Sequence, residues 1–218
     1  MADTSDSGGH GDAQNADGAV ALQRRADVAA RVTFRRFEPR DIEAVRRLLW
    51  RVWSDAYTPI LGAEGVERHC TQLHTKARLA AIARDTDVNC SLVADLDGDI
   101  IAFASALLHW TGAVDIYEVY VDMPYQGLGL GTRLLEAAFY RFPGAHRWRI
   151  EVLADNTAAI ALYERLGFRR TGSRPDWFQP EITVLQLARP NTSGARYGVA
   201  AMLTIQLRSL AQALVAVR

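Results

Sequence analysis

The stretch Ile116–Thr132, IYEVYVDMPYQGLGLGT, decides how the rest of the chain is read. Ile116–Val121 has strand chemistry and Asp122–Tyr125 is a short turn. Gln126, Gly127, Gly129 and Gly131 follow, and Thr132–Phe139 opens an amphipathic helix. The first turn of a helix carries unpaired N–H groups and a partial positive charge. Glycine removes the Cβ atoms that would keep a phosphate away from those groups. Strand, glycine loop and helix together predict a site for a phosphorylated cofactor.

The spacing narrows the choice. A dinucleotide loop wants G-x-G-x-x-G, but here the glycines fall as G-x-G-x-G, with Thr132 in the place of the third. Glu151 lies near the distance expected of a ribose ligand, yet it is flanked by strand residues on both sides. A Walker A loop needs G-K-[ST], and the chain's only lysine is Lys76. Gln126-x-x-Gly129-x-Gly131 instead resembles the pyrophosphate loop of the GNAT superfamily of N-acetyltransferases. Downstream, Arg149–Phe168, RIEVLADNTAAIALYERLGF, resembles the second half of that family's core: a strand, an asparagine, a helix with a tyrosine and a closing Leu-Gly-Phe. The two motifs stand in the family's order, and the resemblance extends over about Val32 to Arg189.

The resemblance implies a mixed α/β (α+β) GNAT fold: a central sheet of about six to seven strands, splayed central strands and flanking helices. It implies acetyl-CoA as cosubstrate and a primary amine as acceptor, on a peptide N-terminus or a small molecule, acetylated by direct attack in a ternary complex. Gln126 opens the loop motif. The N–H groups of Gly127, Leu128, Gly129, Leu130, Gly131 and Thr132 would cradle pyrophosphate, and the backbone of Val119, Tyr120 and Val121 would pair with pantetheine. Asn156 matches a cofactor-contacting asparagine, although Asp-Asn-Thr is also helix-capping chemistry. Glu151 is the candidate base: it stands five residues before Asn156 and twelve before Tyr163, the spacing of the bacterial acetyltransferases that modify the N-terminal alanine of a ribosomal protein. Glu118 and Asp115 are the alternates. A structural role would pair Glu151 with Arg147 or Arg149. Tyr163 is the candidate acid for the departing thiolate; its structural role would be a packed aromatic. One departure from the family is Pro124, which falls one position later than usual. The competing class is a non-catalytic acyl-CoA-binding or regulatory module on the same fold; the presence of both Glu151 and Tyr163 favours the enzyme.

Composition bounds the rest. Hydrophobic residues make up 49% of the 218, and formal net charge is zero, which argues against a nucleic-acid binder working by bulk charge. No apolar run approaches the ~20 residues of a membrane span, and the N-terminus has no apolar signal core. Cys70 and Cys90 are too few for a disulfide framework, so a cytoplasmic location is expected. His69, Cys70 and His74 look like metal ligands, but helical positions five apart diverge by about 140°, and no metal is expected.

Residues 1–30 lack apolar periodicity and are expected to be a disordered tail, residues 31–190 the acetyltransferase domain, and 191–218 a helical extension. Val32–Phe37 alternates as a strand, and a helix starts near Arg40 with a stripe of Ile42, Val45, Leu48, Leu49 and Val52. Trp53, Tyr57, Pro59, Ile60 and Gly62 form a break before a second helix over Ala63–Ala83; the two aromatics are read as core, with the acceptor pocket as their other possible place. Ser91–Leu96 and Asp99–Leu108 form a hairpin around Asp97-Gly98. Further strands are expected at Val114–Val121, Trp148–Leu153, Phe168–Arg174 and Ile182–Leu187, with a short helix at Ala158–Leu166. Val199, Leu203, Leu207, Leu210, Leu214 and Val217 recur at helical spacing, a stripe for packing on the domain or for a homodimer.

Overall fold

The computed structural model describes residues 23–84, 87–177 and 179–192. Its frame is a seven-stranded sheet in the order β1-β2-β3-β4-β5-β7-β6. The strands are β1 (Val32–Arg36), β2 (Asn89–Leu96), β3 (Asp99–Leu108), β4 (Ala113–Val121), β5 (Arg147–Leu153), β6 (Arg169–Pro175) and β7 (Thr183–Pro190). All neighbours are antiparallel except β4 and β5, which run parallel. The β2–β3 turn has Asp97 at φ 54° and Gly98 at φ 99°, the two left-handed residues that match a tight hairpin to strand twist.

Helices cover both faces. On one lie α1 (residues 23–31), α4 (Leu130–Arg141) and α5 (Thr157–Arg165); on the other lie α2 (Ile42–Leu73) and α3 (Lys76–Ile82). Val45, Leu48, Leu49 and Val52 of α2 bury against Val93, Ile100 and Phe103. Leu134, Leu135 and Ala138 of α4 bury against the opposite face, on Ala102, Ala104, Val114 and Ile116. From Ala102 onward, strand alternation sends neighbouring residues of β3 to opposite helical layers, so each layer seals one side of the sheet.

Three expectations change. The tail assigned to residues 1–30 ends earlier: residues 23–31 are helical, and Val28 packs with Ala94, Ile101, Leu130 and Leu134. One apolar residue at the right place docks this short helix, a signal that periodicity over a window does not register. The break around Pro59 is narrower than expected, because helix continues through Pro59 and gives way only at Gly62 (φ 69°, ψ 167°). The helix expected over Ala63–Ala83 is divided: the α2 segment ends at Leu73, and Thr75 caps a new helix by accepting from the Arg78 N–H. The segments 1–22 and Val199–Val217, the latter read as an amphipathic helix, lie outside the described residues.

β4 and β5 meet only at their beginnings. Their pairing runs from Ala113↔Arg147 to Ile116↔Ile150 and stops. Beyond that point β4 stays with β3, through Glu118↔Ser105 to Val121↔Ala102, while Glu151–Leu153 stay with β7. The sheet is therefore split at its centre, open toward the glycine loop.

Candidate active site

The loop after β4 is held at both ends. The Asp122 N–H donates to the Ile101 carbonyl at 2.9 Å, and the buried Asp122 carboxylate receives the Arg51 guanidinium of α2 at 2.6 Å. The Gln126 side-chain amide donates to the Val121 carbonyl at 3.0 Å, turning the chain back over the strand end. Gly129 adopts φ 81° as the N-cap of α4, with no side chain capping that helix. Any residue with a Cβ is strained in this region. Gly131 is inside the first turn with ordinary helical geometry, and a Cβ there would touch Leu162, Val119 and Val121 at 3.5–3.7 Å. It lets α4 sit close to both β4 and α5. The helix start thus presents its free N–H groups at the mouth of the split, and this arrangement fits a diphosphate.

On the α2 face the split opens into a cavity of about 730 Å³, whose lining includes Arg78, Asp115, Glu118, Tyr120, Glu151 and Trp177. All three candidate bases reach it, in different settings. Glu151 accepts from Arg174 in a charge-assisted pair and from Gln186 at 3.0 Å, with 42% of its side chain exposed. Its arginine partner comes from β6, not from Arg147 or Arg149. Asp115 is gripped by Arg149 and by His109 at 2.8 Å. Burial works to raise its pKa, but the close His109 ring and the Arg149 guanidinium outweigh this and hold it below the ordinary value. Glu118 is buried and accepts from the Ser105 hydroxyl, and burial raises its pKa.

Glu118 reaches this face because of a bulge. The β3–β4 register passes from Ser105↔Glu118 to Ala106↔Ile116, leaving Tyr117 as an extra residue. Simple alternation would put Glu118 on the same side as Ile116, in the α4 core. The bulge turns Glu118 and Tyr120 to the α2 side while Ile116 stays with Leu135 and Ala138.

Tyr163 lies on the other face. It is 5% exposed, packs with Ile150, Val152 and Phe168, and is not among the cavity-lining residues. Burial, and then the nearby Tyr57, raise its phenol pKa. The structure therefore does not bring Tyr163 and Glu151 into one cavity; strand β5 lies between them. Asn156 spans the far end: its Oδ1 caps α5 by accepting from the Ala159 N–H at 3.1 Å, and its Nδ2 donates to the Tyr57 hydroxyl at 3.0 Å. Tyr57 and Trp53 are both buried, the core position favoured from sequence. Trp53 stacks on His69 with ring centroids 3.4 Å apart. Burial, with Arg78 nearby, lowers His69 to about 4, so it is neutral at physiological pH.

Several partners were not readable from local pattern: Ser105 behind Glu118, Arg51 beneath Asp122, Arg174 on Glu151 and Arg25 beside Gly129. Each comes from a different element of the fold. Among the described residues, no cluster of three His, Cys, Asp or Glu side chains could hold a metal, and no helix is long and apolar enough to cross a membrane.

The chain and its fold have counterparts elsewhere. Residues 42–168 match the acetyltransferase (GNAT) family, and the chain belongs to that family. Over 65 residues it is 38% identical to the N-alpha-acetyltransferase RimI of Mycobacterium tuberculosis, covering 30% of this chain and 40% of RimI. Matched stretches in other relatives range from 18% to 70% of their lengths. The fold resembles the PaiA N-acetyltransferase of Thermoplasma acidophilum, solved with coenzyme A: TM-score 0.65 and 17% identity, over 73% of this chain and 98% of that one. It also resembles the ribosomal-protein-S18-alanine N-acetyltransferase of Escherichia coli: TM-score 0.57 and 24% identity, over 77% and 96%.

Proposed function

We propose that this protein moves an acetyl group from acetyl-CoA to a primary amine, with both substrates bound at once and the amine attacking directly. The observation that carries this reading is the parting of β4 and β5 beyond Ile116 and Ile150, directly beside the Gly129-started helix. Acetyl-CoA supplies the activated acetyl group. The N–H groups of the Gly127–Thr132 loop hold the diphosphate, and the β4 backbone at Val119–Val121 lies along the split for pantetheine.

The acceptor enters from the α2 face, between the exposed aromatics Tyr117 and Trp177. Glu118 takes the proton from the amine. A carboxylate whose pKa is raised toward the working pH is a better base than one held down by arginine. Glu151, fixed by Arg174 and Gln186, receives the incoming ammonium at the cavity wall. Tyr163 reaches the split from the opposite face and returns a proton to the leaving thiolate. A phenol with raised pKa holds its proton until a strong base forms beside it. The acceptor class is a peptide N-terminus or a small amine. The likeness to RimI over 65 residues supports the first, and the aromatic mouth suits either.

Thiol release from acetyl-CoA over a panel of peptides and small amines, with mass spectrometry of the products, tests this. Amine-dependent release with an acetylated product is expected. Binding of acetyl-CoA with no transfer to any amine would make the protein a binding module instead.

A further inference from the structure

The matched family region begins at residue 42, so α1 lies outside it. Yet α1 is docked at the loop that starts α4. Val28 anchors it in the core beside Leu130 and Leu134. Arg24 donates to the Pro124 carbonyl at 2.8 Å and sits over the Tyr125 ring, 5.9 Å from its centroid. One residue on, the Arg25 guanidinium lies with Nη2 3.8 Å from the place a Cβ on Gly129 would occupy.

These neighbours have different employment. Arg24 is spent on fastening α1 to the Pro124 turn. Arg133, in the first turns of α4, is turned away over the Phe34 ring, 4.2 Å from its centroid. Arg25 has no hydrogen bond or ion pair with any of the described residues. An unpaired guanidinium is thus set beside the left-handed glycine whose conformation opens the helix N-terminus. Guanidinium geometry matches phosphate oxygens, and a charged partner strengthens each hydrogen bond.

We infer that Arg25 is a diphosphate-binding residue for acetyl-CoA, supplied by an N-terminal helix outside the matched family region. This rests on the assignment of the glycine loop to acetyl-CoA. The backbone loop alone offers neutral donors. Arg25 adds the full positive charge that the loop lacks and closes over the diphosphate from the α1 side.

Calorimetry of the full-length chain with coenzyme A and with 3′-dephospho-coenzyme A tests the inference. Arg25→Gln should bind both ligands about tenfold more weakly than wild type, the loss of one charge-assisted contact. Arg25→Lys should lose less. The ligand-free melting temperature should stay at the wild-type value, because Arg25 has no hydrogen-bond or ion-pair partner among the described residues. A loss seen with coenzyme A but absent with the dephospho form would move the contact to the 3′-phosphate and overturn the assignment. Unchanged affinity for both would overturn it as well, as would a melting temperature that falls together with affinity, which would make Arg25 a docking residue of α1. If wild type itself binds neither ligand, the acetyl-CoA assignment of the loop has failed first.

Discussion

The two faces of the split are built from different materials. On the α4 face the site is backbone: a left-handed glycine at 129, an uncapped helix start, and a strand edge that leaves its parallel partner after Ile116. On the α2 face it is side chain: three carboxylates, each with its own set of partners. A backbone site is selective for charge and shape and tolerates many side chains around it. A side-chain site takes its chemistry from which partners surround each group, and small shifts of register rewrite it. The difference predicts unequal responses to substitution.

The largest effect is expected on the side-chain face. Glu118→Gln keeps the shape and the Ser105 contact but cannot take a proton. Turnover should fall by about 10²–10⁴-fold, the usual range for a general base, with acetyl-CoA affinity unchanged. Stability should move the other way. Burial raises the pKa of Glu118 in the folded protein, so ionising it costs more there than in the unfolded chain. Its contribution to stability is complete below the unfolded-state pKa and is lost as pH rises through the folded-state one. Calorimetric melting should therefore show Glu118→Gln more stable than wild type at neutral pH and equal to it in acid. A variant both active and no more stable at neutral pH would remove Glu118 from the mechanism.

The same contrast explains what could be read in advance. The Asp97-Gly98 turn was legible because left-handed backbone has a short vocabulary, and the structure places both residues in that region; Gly129 was legible as an opening for phosphate, and its left-handed φ comes from the structure. The strands were legible to within a few residues because apolar alternation marks them. The setting of Glu118 was not legible. In the sequence it alternates with Ile116 and Tyr120, and nothing local announces that Tyr117 is an extra residue. Its partner Ser105 and the Arg174 partner of Glu151 come from other strands of the sheet. Pairing of that kind is decided by tertiary register, and single-sequence pattern carries little of it. Helix α1 escaped for a different reason: its docking rests on Val28 and on Arg24 at the Pro124 carbonyl, set in a polar, alanine-rich stretch.

Tyr163→Phe tests whether the two faces cooperate through the split. The ring packing against Phe168 and Ile150 is kept and only the hydroxyl is lost. Turnover should drop on the order of 10²-fold while acetyl-CoA affinity holds, since the interaction belongs to the transition state. Rising pH should bring no recovery. Wild-type turnover in this variant would make Tyr163 a packing residue and leave the leaving thiolate to solvent.

On the backbone face, Gly129→Val should act on affinity. A β-branched residue at φ 81° costs about 1–3 kcal/mol of strain, and the loop would shift to relieve it. Acetyl-CoA should bind roughly 10–100-fold more weakly, with the rate of the saturated enzyme changed far less. Gly131→Ala makes a sharper control: its Cβ meets only ordinary contacts at 3.5 Å or more, so affinity should change little. Equal losses at the two positions would mean that the loop acts through packing and not through its left-handed turn.

The smallest effect is expected at Glu151, and it separates the two carboxylates most cleanly. Glu151 is partly exposed and paired with Arg174, and exposed pairs of this kind are worth about 0–1 kcal/mol. Glu151→Gln should fold as well as wild type. If Glu151 only receives the acceptor's ammonium, the amine KM should rise several-fold while kcat stays within about tenfold, a loss of ground-state binding. That defect should be flat from neutral to alkaline pH until the free amine itself titrates. If Glu151 is the base instead, kcat should collapse near neutrality and recover as pH rises, because more amine then arrives without its proton. Measuring kcat against pH for Glu118→Gln and Glu151→Gln side by side decides it. Recovery at high pH in the Glu151 variant, with a Glu118 variant that stays active at neutrality, would transfer the base from the β4 side of the split to the β5 side.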